Sequence, residues 1–153
     1  MGSPRLAKLC DSIELSVKDS CKDRISVSFS GGIDSTLIAF LAQKHCDVEL
    51  IAVGIPDAHD LKAARSASEL IDMELKVIEV EPKDMIVEGM EMQKCLNLSS
   101  IEIEFMLPFW IAAKNSDNSI LMCGQGADEL FGGYARFRTE DAEYDLEKEV
   151  SDL

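Results

Sequence analysis

The sequence predicts an α/β protein with an open, mostly parallel sheet and helices on both faces. Three observations carry this prediction: short apolar segments typical of strands, amphipathic helical segments between them, and glycine-rich turns after two of the strands. Strands that alternate with helices form parallel sheets, because each helical crossover returns the chain to the same end of the sheet. The expected architecture is a three-layer sandwich of helix, sheet and helix.

The elements follow one another in a regular order. Strands are predicted at residues 25–29, 48–53, 75–80 and 119–123. Helices are predicted from about residue 6 to 22, at 35–44, at 60–71, at 101–113 and briefly around residue 129. Asp60 is expected to cap the third helix, and Pro108 is expected to kink or split the helix at 101–113, which is apolar enough to be buried. The region that begins at Pro82 shows no clear pattern.

Composition limits the classes of function. The 153 residues are 46% hydrophobic and 29% charged, which fits one globular domain with a sizeable core. With 15 Lys and Arg against 29 Asp and Glu, the net charge of −14 repels phosphate backbones and anionic lipids. Five scattered cysteines without a C-x-x-C pair indicate neither a disulfide framework nor a zinc site, and no apolar run is long enough to span a membrane. We therefore expect a cytoplasmic protein that binds neither nucleic acid nor membrane.

Topology predicts where a ligand binds. In open parallel sheets, ligands bind beyond the carboxyl ends of the strands, at the point where the strand order reverses. If the order is 3-2-1-4, the turns after strands one and four are neighbours, and these turns are the two glycine-rich segments, SGGIDS at residues 30–35 and GQGADELFGGY at residues 124–134. The sequence thus predicts one site built from both segments.

The first segment has the chemistry of a phosphate loop. Gly31 and Gly32 let the backbone approach a ligand closely, Ser30 and Ser35 supply hydroxyl groups, and the following helix points its free N–H groups at the loop. Asp34 would repel phosphate unless a divalent cation lies between them, so the segment predicts a magnesium-bound polyphosphate. The alternative is a glycine turn in which Asp34 only caps the helix.

These motifs resemble those of a known family. SGGIDS between a strand and its helix resembles the PP-loop of the N-type ATP pyrophosphatases, which split ATP into AMP and pyrophosphate. GQGADELFGGY is similar to the G-E-G-x-D-E-x-F-G-G-Y segment of the synthetase domain of asparagine synthetase. VGIPDAHDLKAA at residues 53–64 and MLPFW at residues 106–110 fall where that family has a post-strand segment and a proline-containing helix. The resemblance spans residues 25–138 and implies an adenine nucleotide alpha hydrolase-like, Rossmann-like fold.

The resemblance implies roles for individual residues. ATP and Mg²⁺ would be the cofactors, with Asp34 and Asp128 holding the metal. The pyrophosphate portion would be held by Ser30, Gly31, Gly32 and Ser35, and the adenine and ribose would contact the backbone of Ser28, Val53, Cys123 and Gly124. A small carboxylate substrate would attack the α-phosphorus, and ammonia would capture the acyl-adenylate.

The sequence departs from the family pattern at positions that bear on the amidation step. Gln125 replaces a glutamate implicated in acyl transfer; a neutral amide can hydrogen-bond the substrate but cannot act as a general base. Met1 is followed by Gly2 rather than by a cysteine nucleophile, so ammonia is expected from solution or from a separate glutaminase subunit. The family continues with helices that supply a basic residue; candidate substitutes, each also readable as a solvated surface charge, are Lys62, Arg65, Arg136 and Arg138.

Two further functions stay open from the sequence. One is a non-catalytic ATP- or AMP-binding module of the same fold, favoured by Gln125; the other is tRNA modification, against which the acidic charge argues. The expected organisation is a PP-loop domain over residues 1–138 and an acidic tail over residues 139–153. A homo-oligomer could complete the substrate pocket.

Overall fold

A computed structural model describes residues 4–134 of the chain. The chain divides into two compact units, Met1–Cys123 and Gly124–Leu153. The acidic tail at residues 139–153 and the boundary at residue 138 lie outside the described residues. The first unit contains the sheet, and its organisation confirms the predicted fold class.

The sheet has four parallel strands in the order β3-β2-β1-β4. They are β1 (Arg24–Ser28), β2 (Asp47–Gly54), β3 (Leu75–Glu79) and β4 (Leu121–Met122). Ser26 lies opposite Glu49 of β2 and opposite Leu121 of β4, so β1 is a central strand. This is the order 3-2-1-4, and the strand order therefore reverses beside β1, as the sequence predicts.

Six helices are present among the described residues. α2 connects β1 with β2, α3 connects β2 with β3, and a pair of helices precedes β4. Their bounds are α1 Pro4–Ser20, α2 Ile33–Ala42, α3 His59–Leu70, α4 Pro82–Leu96, α5 Ser100–Lys114 and α6 Ala127–Phe131. The predicted helices over 6–22, 35–44, 60–71 and 101–113 are confirmed within a few residues.

The main core lies between the sheet and the helices α1, α2 and α3. Alternate residues of β1 and β2 point into it, and its fully buried members include Ile25, Val27 and Leu50. Ile51 belongs to the opposite face by the same alternation, and α5 packs against β2. Both faces of β1 are covered: Ile25 and Val27 pack in the main core, and Ser26 on the other face is also fully buried.

A polar network interrupts the second face of the sheet. The fully buried Ser26 hydroxyl lies 2.9 Å from Glu49 Oε2 and 2.7 Å from the hydroxyl of Ser116, and it accepts a hydrogen bond of 2.9 Å from Asn118 Nδ2. Lys76 Nζ lies 3.8 Å from Glu49 Oε1. The network ties β1, β2, β3 and the turn before β4 together, and its hydrogen bonds offset the cost of burying polar groups.

Replacing Ser26 with alanine is expected to lower the free energy of unfolding by about 1–3 kcal/mol, because Glu49, Ser116 and Asn118 would each lose a partner in a half-buried setting. Urea denaturation measures this loss. The matched control is Ser12→Ala, since the Ser12 hydroxyl is exposed and, among residues 4–134, bonds only the carbonyl of Lys8 in its own helix. Its effect is expected within about 0.5 kcal/mol. Equal effects at the two serines would contradict the structural role of the network.

The structure overturns two expectations for the helix at 101–113, namely that Pro108 splits it and that it is buried. α5 continues through Pro108 as one helix, and it is largely a surface helix: only Ile111 and Ala112 are buried, while Phe105 is 69% exposed. Its start is fixed by a capping box, in which the Ser99 hydroxyl accepts from the Glu102 N–H and the Glu102 carboxylate accepts from the Ser99 N–H. Because its start is capped and its last turn is packed, the helix tolerates the missing N–H donor of Pro108.

Asp60 does not cap the third helix. Ala58 is at the N-cap, no side chain makes a capping hydrogen bond, and Asp60 lies in the first turn, where its charge suits the helix dipole. No helix of the described residues is by itself long and apolar enough to cross a membrane; α4 and α5 pass that test only as a pair, and they are bent by 106°.

Candidate functional site

The first glycine-rich segment connects the carboxyl end of β1 to the start of α2. Phe29 is buried, and its N–H donates to the carbonyl of Ile51 at 2.8 Å, which holds the start of the loop against β2. The loop then turns through Ser30, Gly31 and Gly32 into α2. It therefore lies at the edge of the sheet where the strand order reverses, which is where ligands bind in sheets of this type.

Gly31 has a φ of +76°, a backbone conformation that residues with a side chain rarely adopt. A Cβ added at this position would lie 2.6 Å from the backbone carbonyl carbon and oxygen of Ala63, in α3. The loop is thus packed directly against the backbone of α3, and only glycine fits at this contact. The sequence predicts the need for glycine but not the partner helix.

Ser30 and Ser35 hold the loop in a closed turn. Their hydroxyl oxygens lie 3.2 Å apart, and the Ser35 hydroxyl accepts from the Ser30 N–H at 3.3 Å and donates to the carbonyl of Gly32 at 3.2 Å. The Gly32 N–H donates to the Ser30 hydroxyl at 3.3 Å. Ser35 is buried while Ser30 is exposed, so Ser35 shapes the loop and Ser30 faces solvent.

The start of α2 presents unpaired donors beside this loop. Gly32 is the N-cap and offers no side chain, and the N–H groups of Ile33, Asp34 and Ser35 have no acceptor among the described residues. Asp34 makes no capping hydrogen bond and no ion pair within the described part of the chain. The alternative in which Asp34 only caps α2 is therefore wrong. The turn combines free N–H donors, which suit an anion, with a carboxylate that lacks a partner.

A buried hydroxyl lies one residue further along α2. Thr36 Oγ1 is shielded from solvent and has no hydrogen-bond partner in the described residues, because the carbonyl of Gly32 is already used by the Thr36 N–H at 3.0 Å and by the Ser35 hydroxyl. Such orphaned groups are uncommon in folded proteins and are often found where a ligand or water completes the site. No motif in the sequence marks Thr36 as a site residue.

The residues expected near adenine and ribose lie along the same edge of the sheet. Ser28 ends β1, Val53 lies near the end of β2, and Cys123 directly follows β4; all three are half-buried. Cys123 is one of the residues that line a cavity of about 210 Å³. The others are Ser16, Val17, Ser20, Ile38 and Met122. The structure thus places Ser28, Val53 and Cys123 at the carboxyl edge, as the parallel topology requires.

The second glycine-rich segment belongs to the other unit. Gly126 and Gly132 have φ values of +91° and +67° and flank α6, a helix of five residues that carries Asp128 in its first turn. The Gly133 N–H donates to the Asp128 carbonyl at 3.0 Å, and a Cβ on Gly133 would collide with Asp128 Oδ1. Gly133 therefore leaves room for the Asp128 carboxylate. Gly124 and Gln125 precede this turn, and Gln125 is exposed.

Within this turn, the Tyr134 hydroxyl donates to Glu129 Oε1 at 2.6 Å. Tyr134, the last residue of the motif, is thus hydrogen-bonded to α6. His59 is 94% exposed and begins α3, and Arg65 Nη2 lies 3.6 Å from Glu79 Oε1 on the surface. Lys62 is exposed, which suits a solvated charge, and Arg136 and Arg138 lie outside the described residues.

Comparison with known proteins agrees with the loop and the topology. The profile of the asparagine synthase family matches residues 8–151, nearly the whole chain. The chain belongs to the asparagine synthase family. The matched residues include both glycine-rich segments.

Relatives within the asparagine synthase family are much longer than this chain. A putative glutamine-hydrolysing asparagine synthetase of Methanocaldococcus jannaschii is 36% identical over 137 residues, which cover 84% of this chain and 25% of that protein. The human glutamine-hydrolysing asparagine synthetase is 27% identical over 147 residues, which cover 85% of this chain and 26% of that protein. The chain therefore spans about a quarter of the length of these relatives.

Solved structures support the fold of this asparagine synthase family member. An NH3-dependent NAD synthetase of Campylobacter jejuni aligns with a TM-score of 0.54 and 21% identity, covering 94% of this chain and 71% of that one. An NMN synthetase of Francisella tularensis aligns with a TM-score of 0.54 and 19% identity, covering 88% and 60%. At these identities the likeness shows the PP-loop, Rossmann-like fold alone.

Proposed function

We propose that this chain binds ATP at the Ser30–Ser35 loop and splits it into AMP and pyrophosphate, so that a small carboxylate substrate is adenylated for amide formation. One observation carries the proposal: the start of α2 presents three N–H groups and the carboxylate of Asp34, none of which has a partner among the described residues. A helix start with free N–H donors favours an anion. A free carboxylate in the same turn favours a cation that accompanies it.

The pyrophosphate portion of ATP is assigned to the loop. The backbone of Gly31 and Gly32 can approach phosphate oxygens closely, because neither residue has a side chain. The exposed Ser30 hydroxyl can donate to a phosphate oxygen, whereas Ser35 is buried and keeps the turn closed. The backbone of Ser28, Val53, Cys123 and Gly124 is assigned to the adenosine portion of ATP.

Magnesium is assigned to the carboxylates of Asp34 and Asp128. Each is held in a glycine-rich turn of its own unit, and Gly133 leaves room for the second carboxylate. Within the described residues, no group of three or more His, Cys, Asp or Glu side chains could hold a metal ion. This fits magnesium, which keeps several waters and phosphate oxygens and takes only one or two carboxylates from the protein. When bound, the ion would neutralise charge on the phosphate oxygens.

Adenylation and amide formation depend on the positioning of the reactants more than on covalent catalysis by the protein. A carboxylate oxygen of the substrate attacks the α-phosphorus, the bond to the β-phosphate oxygen breaks, and pyrophosphate leaves with the electron pair. The N–H donors at the start of α2 stabilise the negative charge that develops on the departing oxygens. Ammonia then attacks the acyl carbon of the adenylate, and AMP leaves. Gln125 can hydrogen-bond the substrate but cannot remove a proton from ammonia, so ammonia must lose that proton to another base or to solvent.

The test is the release of AMP and pyrophosphate from Mg-ATP by the purified chain, with and without aspartate and ammonia. Aspartate is the first substrate to try because the named relatives are asparagine synthetases. We expect pyrophosphate release that depends on the carboxylate, and asparagine only when ammonia or a separate glutaminase is supplied. Release of ADP and phosphate in place of AMP and pyrophosphate would overturn the proposal.

A second function is favoured by Gln125, which cannot act as a general base. It is a non-catalytic ATP- or AMP-binding module. Equilibrium binding of Mg-ATP without any cleavage, across a panel of small carboxylates, would establish this function in place of the first.

A further inference from the structure

Two cysteines lie at the edge of the sheet opposite to the loop. Cys21 follows α1 and lies three residues before β1, and Cys46 directly precedes β2. The strands are parallel neighbours with Arg24 opposite Asp47, and the Asp47 N–H donates to the carbonyl of Asp23 at 3.1 Å. The two cysteines thus lie at the amino ends of paired strands, and both side chains pack against the main core.

Their surroundings differ from those of the two cysteines that lie within helices. Cys21 and Cys46 are half-buried and pack against the main core, whereas Cys10 and Cys95 are exposed. The Cys46 thiol also donates to the carbonyl of Ala42 at 3.6 Å. Burial, followed by the hydrogen bond with Cys21, raises the pKa of Cys46 to about 12, so this thiol is protonated at neutral pH.

We propose that Cys21 and Cys46 form an oxidation site, which a low-molecular-weight disulfide such as oxidised glutathione converts into an intramolecular disulfide. The places of both cysteines at the amino ends of neighbouring strands, against one core, supply the proximity that a disulfide needs, and the strand pairing fixes both chain segments. None of the functional assignments above uses either residue.

The reaction proceeds by two thiol–disulfide exchanges. The thiolate of Cys21 attacks one sulfur of oxidised glutathione, a mixed disulfide forms, and one glutathione thiolate leaves. The Cys46 thiol then gives its proton to that thiolate, and its sulfur attacks the Cys21 sulfur while the second glutathione leaves. The two protein thiols lose two electrons in total, and one glutathione disulfide is reduced to two thiols. The protonated state of Cys46 makes the second exchange slow, so oxidation is expected to speed up as pH rises.

The cross-link would enclose β1, the Ser30–Ser35 loop and α2 in a closed loop of about 26 residues, which restricts the unfolded chain. Both sulfur atoms lie at the amino ends of the strands, while the glycine-rich loop follows the carboxyl end of β1. Oxidation is therefore expected to raise the melting temperature by about 10 °C. The shape of the Ser30–Ser35 loop should stay as it is.

The experiment is to incubate the whole chain with oxidised glutathione, block remaining thiols with iodoacetamide and map the peptides by mass spectrometry. We expect a peptide pair linked through Cys21 and Cys46, and a rise in melting temperature that dithiothreitol reverses. Cys21→Ser and Cys46→Ser should lose the rise, while Cys10→Ser and Cys95→Ser, the matched controls, should keep it.

Several outcomes would overturn the oxidation site. They are a linkage between other cysteines, stable glutathione adducts on Cys21 without a link to Cys46, or a melting temperature that rises equally in Cys21→Ser. If a serine variant does not fold, the peptide map and the reversal by dithiothreitol on the unmodified sequence decide alone. Neither readout involves ATP, so failure of the proposed nucleotide chemistry would leave this test intact.

Discussion

Replacing Asp34 with asparagine is expected to weaken binding of Mg-ATP by about 100-fold, because the substitution removes one charged ligand of the proposed magnesium while keeping the shape of the side chain. Without magnesium, the order of the two ATP affinities should reverse. In excess EDTA, the variant should bind ATP at least as tightly as the unmodified chain, since a negative charge next to the polyphosphate has gone. Titration of ATP with and without magnesium, followed by calorimetry, measures both effects.

The reversal distinguishes a metal ligand from a residue that only supports the fold. The Asp34 side chain makes no capping hydrogen bond, so asparagine should lower the free energy of unfolding by no more than about 1 kcal/mol, the usual worth of an acidic residue in the first turn of a helix. Asp60→Asn is the matched control, because Asp60 lies in the first turn of α3 and its side chain is 88% exposed. Equal loss of ATP binding with and without magnesium would count against the assignment.

Much of the fold could be predicted because its signals are local. The segment at 25–29 alternates apolar residues with serines, the segment at 48–53 is apolar on both faces except at Glu49, and the order 3-2-1-4 is the one that brings the two glycine-rich turns to one edge. The strand pairs that the structure shows, β1 with β2 and β1 with β4, required no information beyond this rule.

The helices α4 and α5 were harder to predict because their apolar residues do not mark a buried face. Ile86 and Val87 of α4 are 67% and 61% exposed, while Met92 is the buried residue of that helix. An apolar run normally indicates burial, so α5 was expected in the core. Its actual start depends on Ser99 and Glu102, a polar pair whose role is visible only when the helix boundary is known.

In the candidate site, too, local features could be predicted from the sequence and long-range contacts could not. The residues of the Ser30–Ser35 loop could be read from the sequence, because glycine, serine and aspartate at this spacing have a direct chemical meaning. The contact of Gly31 with Ala63 could not, because it joins residues 32 positions apart through backbone atoms that no side-chain pattern records. The partner of Gly133 was equally hidden, although it lies only five residues away at Asp128.

Gly31→Ala is expected to lower the free energy of unfolding by about 3 kcal/mol or more. The left-handed backbone alone costs about 1–2 kcal/mol with a side chain present, and the shift of a packed backbone adds about 1–3 kcal/mol. The second contribution arises because the new methyl group would lie 2.6 Å from the carbonyl group of Ala63, which belongs to α3 and cannot rotate away. Urea denaturation measures the loss.

Gly32→Ala is the matched control from the same loop. Its φ is −71°, which suits any residue, and its methyl group would approach only the rotatable Ser30 hydroxyl, at 3.3 Å. We expect a loss of stability within about 1 kcal/mol, together with weaker binding of Mg-ATP, because the methyl group would lie where the phosphate is proposed to approach. The two neighbouring glycines thus separate two requirements: Gly31 is needed for packing against α3, and Gly32 for access of the ligand. Equal losses of stability would show that the contact with Ala63 is not what requires glycine at position 31.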